Sequence, residues 1–242
     1  MIFIGNLKNN ITTDSYIKTL TSYTYKDHVG LVLPLVYIYK YKKILADAGI
    51  YVGAQCVDLQ EDFANRGEIS AEMLKDVGTD FVFLGHRMDR KLTLNDYARI
   101  RAKIVQVVKS GMKMIVSIGE SLEDKEMGKT MQVLEKQIRE IFKNIDPCVN
   151  PSNLIIAYEP KWAVGTGLSL NQEELEVEMR NILSIISAYA KDEYKVLYGG
   201  SCNLQNIPLY TKIDGISGFA ISKASLDIKQ FVRILCGTKK SK

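Results

Sequence analysis

At 242 residues, with 46% hydrophobic and 25% charged side chains, the chain has an ordinary globular composition, which excludes disordered, collagen-like and low-complexity classes. The net charge of +4 is mild and spread along the chain; it suits anionic small molecules as well as nucleic acid, and decides little by itself. No apolar run approaches the ~20 residues that cross a bilayer, and MIFIGNLKNN lacks the basic and apolar regions of a secretory signal, so a cytoplasmic protein without a membrane partner is expected.

Short apolar, β-branched runs predict strands at Ile2–Ile4, Val29–Leu33, Tyr51–Ala54, Phe81–Leu84, Met114–Ile118, Leu154–Tyr158, Lys195–Tyr198 and Gly218–Ile221. Such near-continuous runs fit strands buried on both faces of a parallel sheet. Amphipathic segments lie between them, clearest at Asp96–Lys109, Leu122–Phe142 and Asn171–Ala190. In the last, Leu175, Met179, Ile182, Leu183 and Ile186 recur at helical spacing and the Glu-rich face is expected to be solvated. Tyr37–Lys42 reads as a helix face with solvated charge, not as a base-stacking stripe, so no nucleic-acid partner is expected. Strands alternating with helices, with no linker between, predict one domain over residues 1–242, a single (β/α)8 barrel. An open doubly wound sheet is the alternative, but neither GxGxxG nor GxxxxGK[ST] follows the first strand.

In a parallel barrel the chemistry sits on loops after the strand C-termini. Asn6 and Lys8 follow the first predicted strand, His86 the fourth, Glu159 the sixth, Gly199, Gly200 and Ser201 the seventh, and Ser222 and Lys223 the eighth. A carboxylate base, an imidazole that polarises oxygen and a cation for developing negative charge suit proton transfer beside a carbonyl. Glycine amides and the Ser201 hydroxyl suit a phosphate. Cys56, Cys148, Cys202 and Cys236 form no CxxC pair and only two histidines accompany them, so neither a metal site nor a disulfide framework is expected. His28 has no motif around it and reads as surface or loop; Glu120 and Arg180 read as structural.

These segments resemble the triosephosphate isomerase family. Gly5-Asn6-Leu7-Lys8 is similar to its G-N-W-K, Leu84-Gly85-His86 to the start of its G-H-S-E-R-R, and Ser117-Ile118-Gly119-Glu120 to its C-I-G-E. Ala157 to Gly167 is close to A-Y-E-P-x-W-A-x-G-T-G, and Tyr198-Gly199-Gly200-Ser201 matches Y-G-G-S. The resemblance runs in order from residue 1 to about residue 236. It implies a barrel that isomerises dihydroxyacetone phosphate and glyceraldehyde 3-phosphate through an enediolate, without metal or cofactor. Carried over residue by residue, Glu159 shuttles the proton, His86 acts as electrophile, Lys8 stabilises charge and Asn6 orients the substrate. Pro160–Gly167, with Trp162 at its hinge and Thr166 within it, is the implied lid, and the Gly165 amide the implied phosphate donor.

The chain also departs from the family. Arg87-Met88-Asp89 stands where the family has Ser-Glu-Arg, and Met88 cannot ionise. Ser222-Lys223 replaces a Gly-Gly pair, so side chains there could obstruct phosphate or Lys223 could bind it. Leu7 replaces Trp, Asn95 replaces Glu, and Arg66 replaces the Thr that braces the partner subunit in the family's homodimer, which could here be weakened, rebuilt or replaced. Three readings follow: a triosephosphate isomerase, an isomerase of another phosphorylated ketose such as a tetrulose phosphate, or a non-enzymatic paralogue that binds a metabolite or partner.

Overall fold

The computed structural model describes residues 1–59, 67–85, 94–143 and 148–237. Eight strands close into one parallel barrel in sequential order: β1 (Ile2–Asn6), β2 (His28–Leu33), β3 (Tyr51–Ala54), β4 (Phe81–Leu84), β5 (Lys113–Ile118), β6 (Leu154–Tyr158), β7 (Val196–Tyr198) and β8 (Ile216–Ile221). β8 pairs back onto β1, with Ile2 opposite Gly218, so no edge is left to recruit a foreign strand. The predicted strands are all present, within two residues at each end.

Helices α1 (Asp14–Thr21), α2 (Leu35–Asp47), α3 (Ala71–Asp76), α4 (Leu94–Lys109), α5 (Leu122–Glu126), α6 (Thr130–Phe142), α7 (Gln172–Tyr189), α8 (Ile207–Tyr210) and α9 (Ile228–Gly237) cover the sheet. The helix expected over Leu122–Phe142 is instead α5 and α6. Gly128 sits between them at φ 67°, a left-handed conformation that ends a helix at little cost only for glycine. A capping box opens α7: Asn171 Oδ1 accepts from Glu174 N at 2.8 Å, and Glu174 Oε2 accepts from Asn171 N at 2.8 Å. The cap of α7 is thereby fixed four residues beyond the end of the expected lid.

Two apolar clusters hold the fold. One lies between strands and helices and includes Phe3, Leu31, Ile104, Ile138, Ile186 and Phe231. The other fills the barrel interior with Ile2, Ile4, Val32, Phe81, Phe83, Ile115, Ala157, Leu197 and Ala220. Because strand side chains alternate with period two, the interior set predicts which residues face inward at the strand ends. Continuing it toward the C-terminal end gives Asn6 after Ile4, Ser117 after Ile115, Glu159 after Ala157, Gly199 after Leu197 and Ser222 after Ala220. The inward face thus turns from hydrocarbon to polar groups at one end of the barrel.

Of the stretch Tyr37–Lys42, now within α2, the charge of Lys40 is solvated as expected, but Tyr41 is buried and Lys42 Nζ forms an ion pair with Asp80 Oδ2 at 2.6 Å. His28 is exposed, at the first position of β2.

Candidate active site

Glu159 is the centre of the C-terminal end. It is only 1% exposed, and its Oε2 accepts a hydrogen bond from Ser117 Oγ at 2.7 Å. Two glycines make room for it. A Cβ on Gly199 would come within 2.6 Å of Glu159 Cγ, and one on Gly119 within 1.9 Å of the Glu159 carbonyl oxygen. The side chain therefore lies in a slot set by three neighbouring strand ends.

Asn6 is 7% exposed, and its Oδ1 accepts from Lys8 N at 2.9 Å. Lys8 has φ 48°, and among the described residues it is the one non-glycine in the left-handed region. That conformation costs about 1–2 kcal/mol. The surroundings enforce it, since Gln55 Nε2 donates to the Lys8 carbonyl while Asn6 holds the amide. A strained backbone braced from both sides is a hallmark of functional positions. His86 lies outside the described residues, as do Arg66 and the Arg87-Met88-Asp89-Arg90 departure.

The segment Pro160–Gly167 folds over the end of β6 as a tight turn. Ala163 N donates to Pro160 O at 2.9 Å, and Thr166 Oγ1 donates to Trp162 O at 2.9 Å. Ser201 fastens it to the loop after β7: its Oγ donates to Ala163 O at 2.7 Å and accepts from Gly167 N at 3.1 Å. On the other side Trp162 Nε1 donates to Glu120 Oε1 at 2.7 Å, and Lys125 Nζ lies 4.0 Å from the centre of the indole ring. Glu120, read from the sequence as structural, is 1% exposed and also accepts from Tyr158 Oη at 3.4 Å. Behind it lies Glu178, whose carboxyl is held above its ordinary value, chiefly by burial and in smaller part by the charge of Glu120. The α7 face expected to be solvated is in this place half-buried.

Between this segment, the β7 loop and the turn after β8 lies a cavity of about 460 Å³. Gly165, Gly167, Gly200 and Ser201 line one side, Ser222 and Lys223 the other. Ser222 has φ −100°, so this backbone does not need the glycine pair that the family carries. Asp227 also borders the cavity and caps α9, accepting from Lys229 N at 2.9 Å, which tempers the positive field of Lys223. The arrangement offers a base, a braced cation-bearing loop and glycine-rich backbone able to cradle an anion. Nearly all the site residues expected from the sequence that fall in the described regions gather at this end. Ser117, Gln55 and Gly199 are the contributors not assigned there to Glu159 and Lys8; their signal was the inward alternation after Ile115, Gly53 and Leu197.

The triosephosphate isomerase family model matches residues 1–237. The chain belongs to that family. Membership makes it an intramolecular aldose–ketose isomerase. The triosephosphate isomerase of Thermodesulfovibrio yellowstonii is 36% identical over 210 residues, covering 86% of this chain and 84% of its own. That of Alkaliphilus oremlandii is 33% identical over 243 residues, covering 97% and 98%. The chloroplastic enzyme of Secale cereale is 36% identical over 247 residues, covering 98% of this chain and 81% of its own.

Proposed function

We propose that this chain interconverts dihydroxyacetone phosphate and D-glyceraldehyde 3-phosphate, with Glu159 carrying the proton between the two carbons. The observation that carries the residue assignment is the slot around Glu159, in which a buried carboxylate with a hydroxyl partner stands at the end of β6 beside a glycine-lined cavity. In this reading Lys8 stabilises the enediolate oxygen, Asn6 fixes the loop that presents Lys8, and His86 donates to the reacting oxygens. Phosphate lies against Gly165, Ser201, Ser222 and Lys223. Pro160, Trp162, Thr166 and Gly167 belong to a lid that excludes water, a device for which this family is itself a standard example. Exclusion matters because an exposed enediolate can expel its neighbouring phosphate. The homodimer and the cytoplasmic setting belong to the same proposal; among the described residues no helix is long and apolar enough to cross a membrane.

The test is a coupled assay of the full chain with D-glyceraldehyde 3-phosphate beside Glu159→Gln. Loss of a positioned base predicts a fall of about 10²–10⁴-fold in kcat with the melting curve preserved. Equal rates in the two proteins would overturn the assignment of Glu159. The same assay with a tetrulose phosphate addresses the second reading, favoured by Lys223 and by a cavity wall that extends to Asn203 and Gln230. A higher kcat/KM on the four-carbon substrate would establish it.

A further inference from the structure

The alternation that ends the strands in polar groups at one end of the barrel begins them in basic and aromatic groups at the other. Counting back by two from inward positions gives His28 before Gly30, Tyr51 before Gly53, Lys113 before Ile115 and Lys195 before Leu197. All four border a second cavity, of about 330 Å³, at the N-terminal mouth of the barrel. Its floor is hydrocarbon, made by Ile2, Ile4, Phe81, Ile115 and Ile155. The rings of His28 and Tyr51 stand 6.3 Å apart at its rim.

The charge of this mouth is one-sided. Asp80 is the one carboxylate bordering it among the described residues, and Asp80 Oδ2 is already held by Lys42 Nζ at 2.6 Å and by Val52 N at 2.7 Å. Lys113 and Lys195 have no ion-pair partner among the described residues. Their strands are separated only by β6, and since Met114 pairs with Leu154 and Ile156 with Val196 the two lysines are also staggered by two residues, so ordinary strand spacings put their backbones roughly 12 Å apart. Two lysine stems are long enough to bridge that gap from both sides to one anionic group. A small inorganic anion would leave the isoleucine and phenylalanine floor wet, and a neutral hydrocarbon would leave the lysines unanswered. The volume is at the lower end of the range for small-molecule sites, roughly 300–1,000 Å³.

We propose that the N-terminal mouth of the barrel binds a small amphipathic aromatic anion, one or two rings bearing a carboxylate or sulfonate. The ring system covers the floor beside Phe81, Tyr51 and His28, and the anionic group meets Lys113 and Lys195. This site is at the opposite end of the strands from Glu159 and does not depend on the assignment of the catalytic groups.

The experiment is a fluorescence titration of the full chain with 1-anilinonaphthalene-8-sulfonate, in inorganic phosphate sufficient to occupy the lid-side cavity. One dye per chain is expected. Lys113→Glu combined with Lys195→Glu is expected to raise Kd at least tenfold while kcat/KM of the isomerase stays within twofold, and Lys223→Glu leaves dye binding unchanged. The paired Lys113→Gln and Lys195→Gln variant gives a milder loss in the same direction and guards against misfolding of the reversed-charge protein. 2-Naphthoate displaces the dye and 2-naphthol does not. No binding, undiminished binding in both paired variants, equal displacement by 2-naphthol, or loss on Lys223→Glu would each overturn the proposal.

Discussion

The hydroxyl of Ser201 joins the Pro160–Gly167 segment, the proposed lid, to the loop after β7 at two points, and its removal gives the sharpest test of lid closure. Ser201→Ala deletes the bond to Ala163 O (2.7 Å) and the one from Gly167 N (3.1 Å), which span both halves of the lid. A net hydrogen bond contributes about 0.5–1.5 kcal/mol, and the lower part of that range applies because Gly167 is exposed and Ser201 half-buried. The pair is therefore worth about 1–2 kcal/mol of closed over open lid, or about 5–30-fold in population. We expect kcat/KM in the coupled assay to fall by about that factor, and inorganic phosphate released per turnover to rise as the enediolate meets water. Global stability should hardly change, since the Ser201 carbonyl keeps the Asn206 Nδ2 bond at 2.7 Å and no core atom is removed. Ser201→Thr keeps the hydroxyl and should recover most of the rate. A Ser201→Ala enzyme within twofold of the parent, with unchanged phosphate release, would refute the reasoning. So would a rate loss accompanied by a collapse of the melting temperature.

Two further outcomes follow from the carboxylates behind the lid. Burial holds the folded-state pKa of Glu178 above its unfolded value, outweighing the bond from Asn181 Nδ2. The folded state therefore binds the proton more tightly, and stability from this group is full below the ordinary carboxylate value and lost as pH rises through the raised one. Glu178→Gln should gain melting temperature over the parent as pH rises above the ordinary carboxylate value, and a difference flat in pH would count against it. Trp162→Phe removes the 2.7 Å donor to Glu120, whose Oε2 is buried without a partner among the described residues. That leaves the buried carboxylate only the long 3.4 Å bond from Tyr158 Oη, and an under-satisfied buried acceptor costs about 1–3 kcal/mol, so both melting temperature and kcat should fall; adding Glu120→Gln should restore part of the stability, and no recovery would mean that the indole acts by packing alone.

The sequence made the strands legible because a run buried on both faces shows both its length and, through period two, its inward face. Asn6, Glu159 and Ser222 were accordingly read as strand-end groups from position alone, and the structure places them there. The neighbours of Glu159 were not legible in the same way. Ser117 and Gly199 reach it across strands, and which residues meet depends on the stagger of barrel closure, which no single strand encodes. Short helices such as α3 and α8 offer barely one turn of periodicity, while α5 and α6 merged into one amphipathic pattern that only Gly128 interrupts. The solvated Glu-rich face expected of α7 fails at Glu178 because its burial beside Glu120 is a tertiary event, invisible in the helix's own pattern.

The site divides into parts held rigidly and parts held weakly, and the departures from the family can be weighed by which part they touch. Lys8 sits in a backbone conformation enforced from two sides, and the Glu159 backbone passes so close to Gly119 that no side chain fits between them. Such positions tolerate little, since any shift carries the side chains of the proposed catalytic groups with it. Ser222 and Lys223 lie on the opposite wall of the cavity, in backbone geometry open to residues other than glycine. Their electrostatic effect can be read from the wall itself: Lys223 brings a cation to the cavity proposed for phosphate, and Asp227 in the same wall returns part of that charge. On the proposed assignment, loss of the glycine pair here leaves the proton-transfer geometry untouched, since the groups proposed for it are held elsewhere, at the ends of β1, β5, β6 and β7.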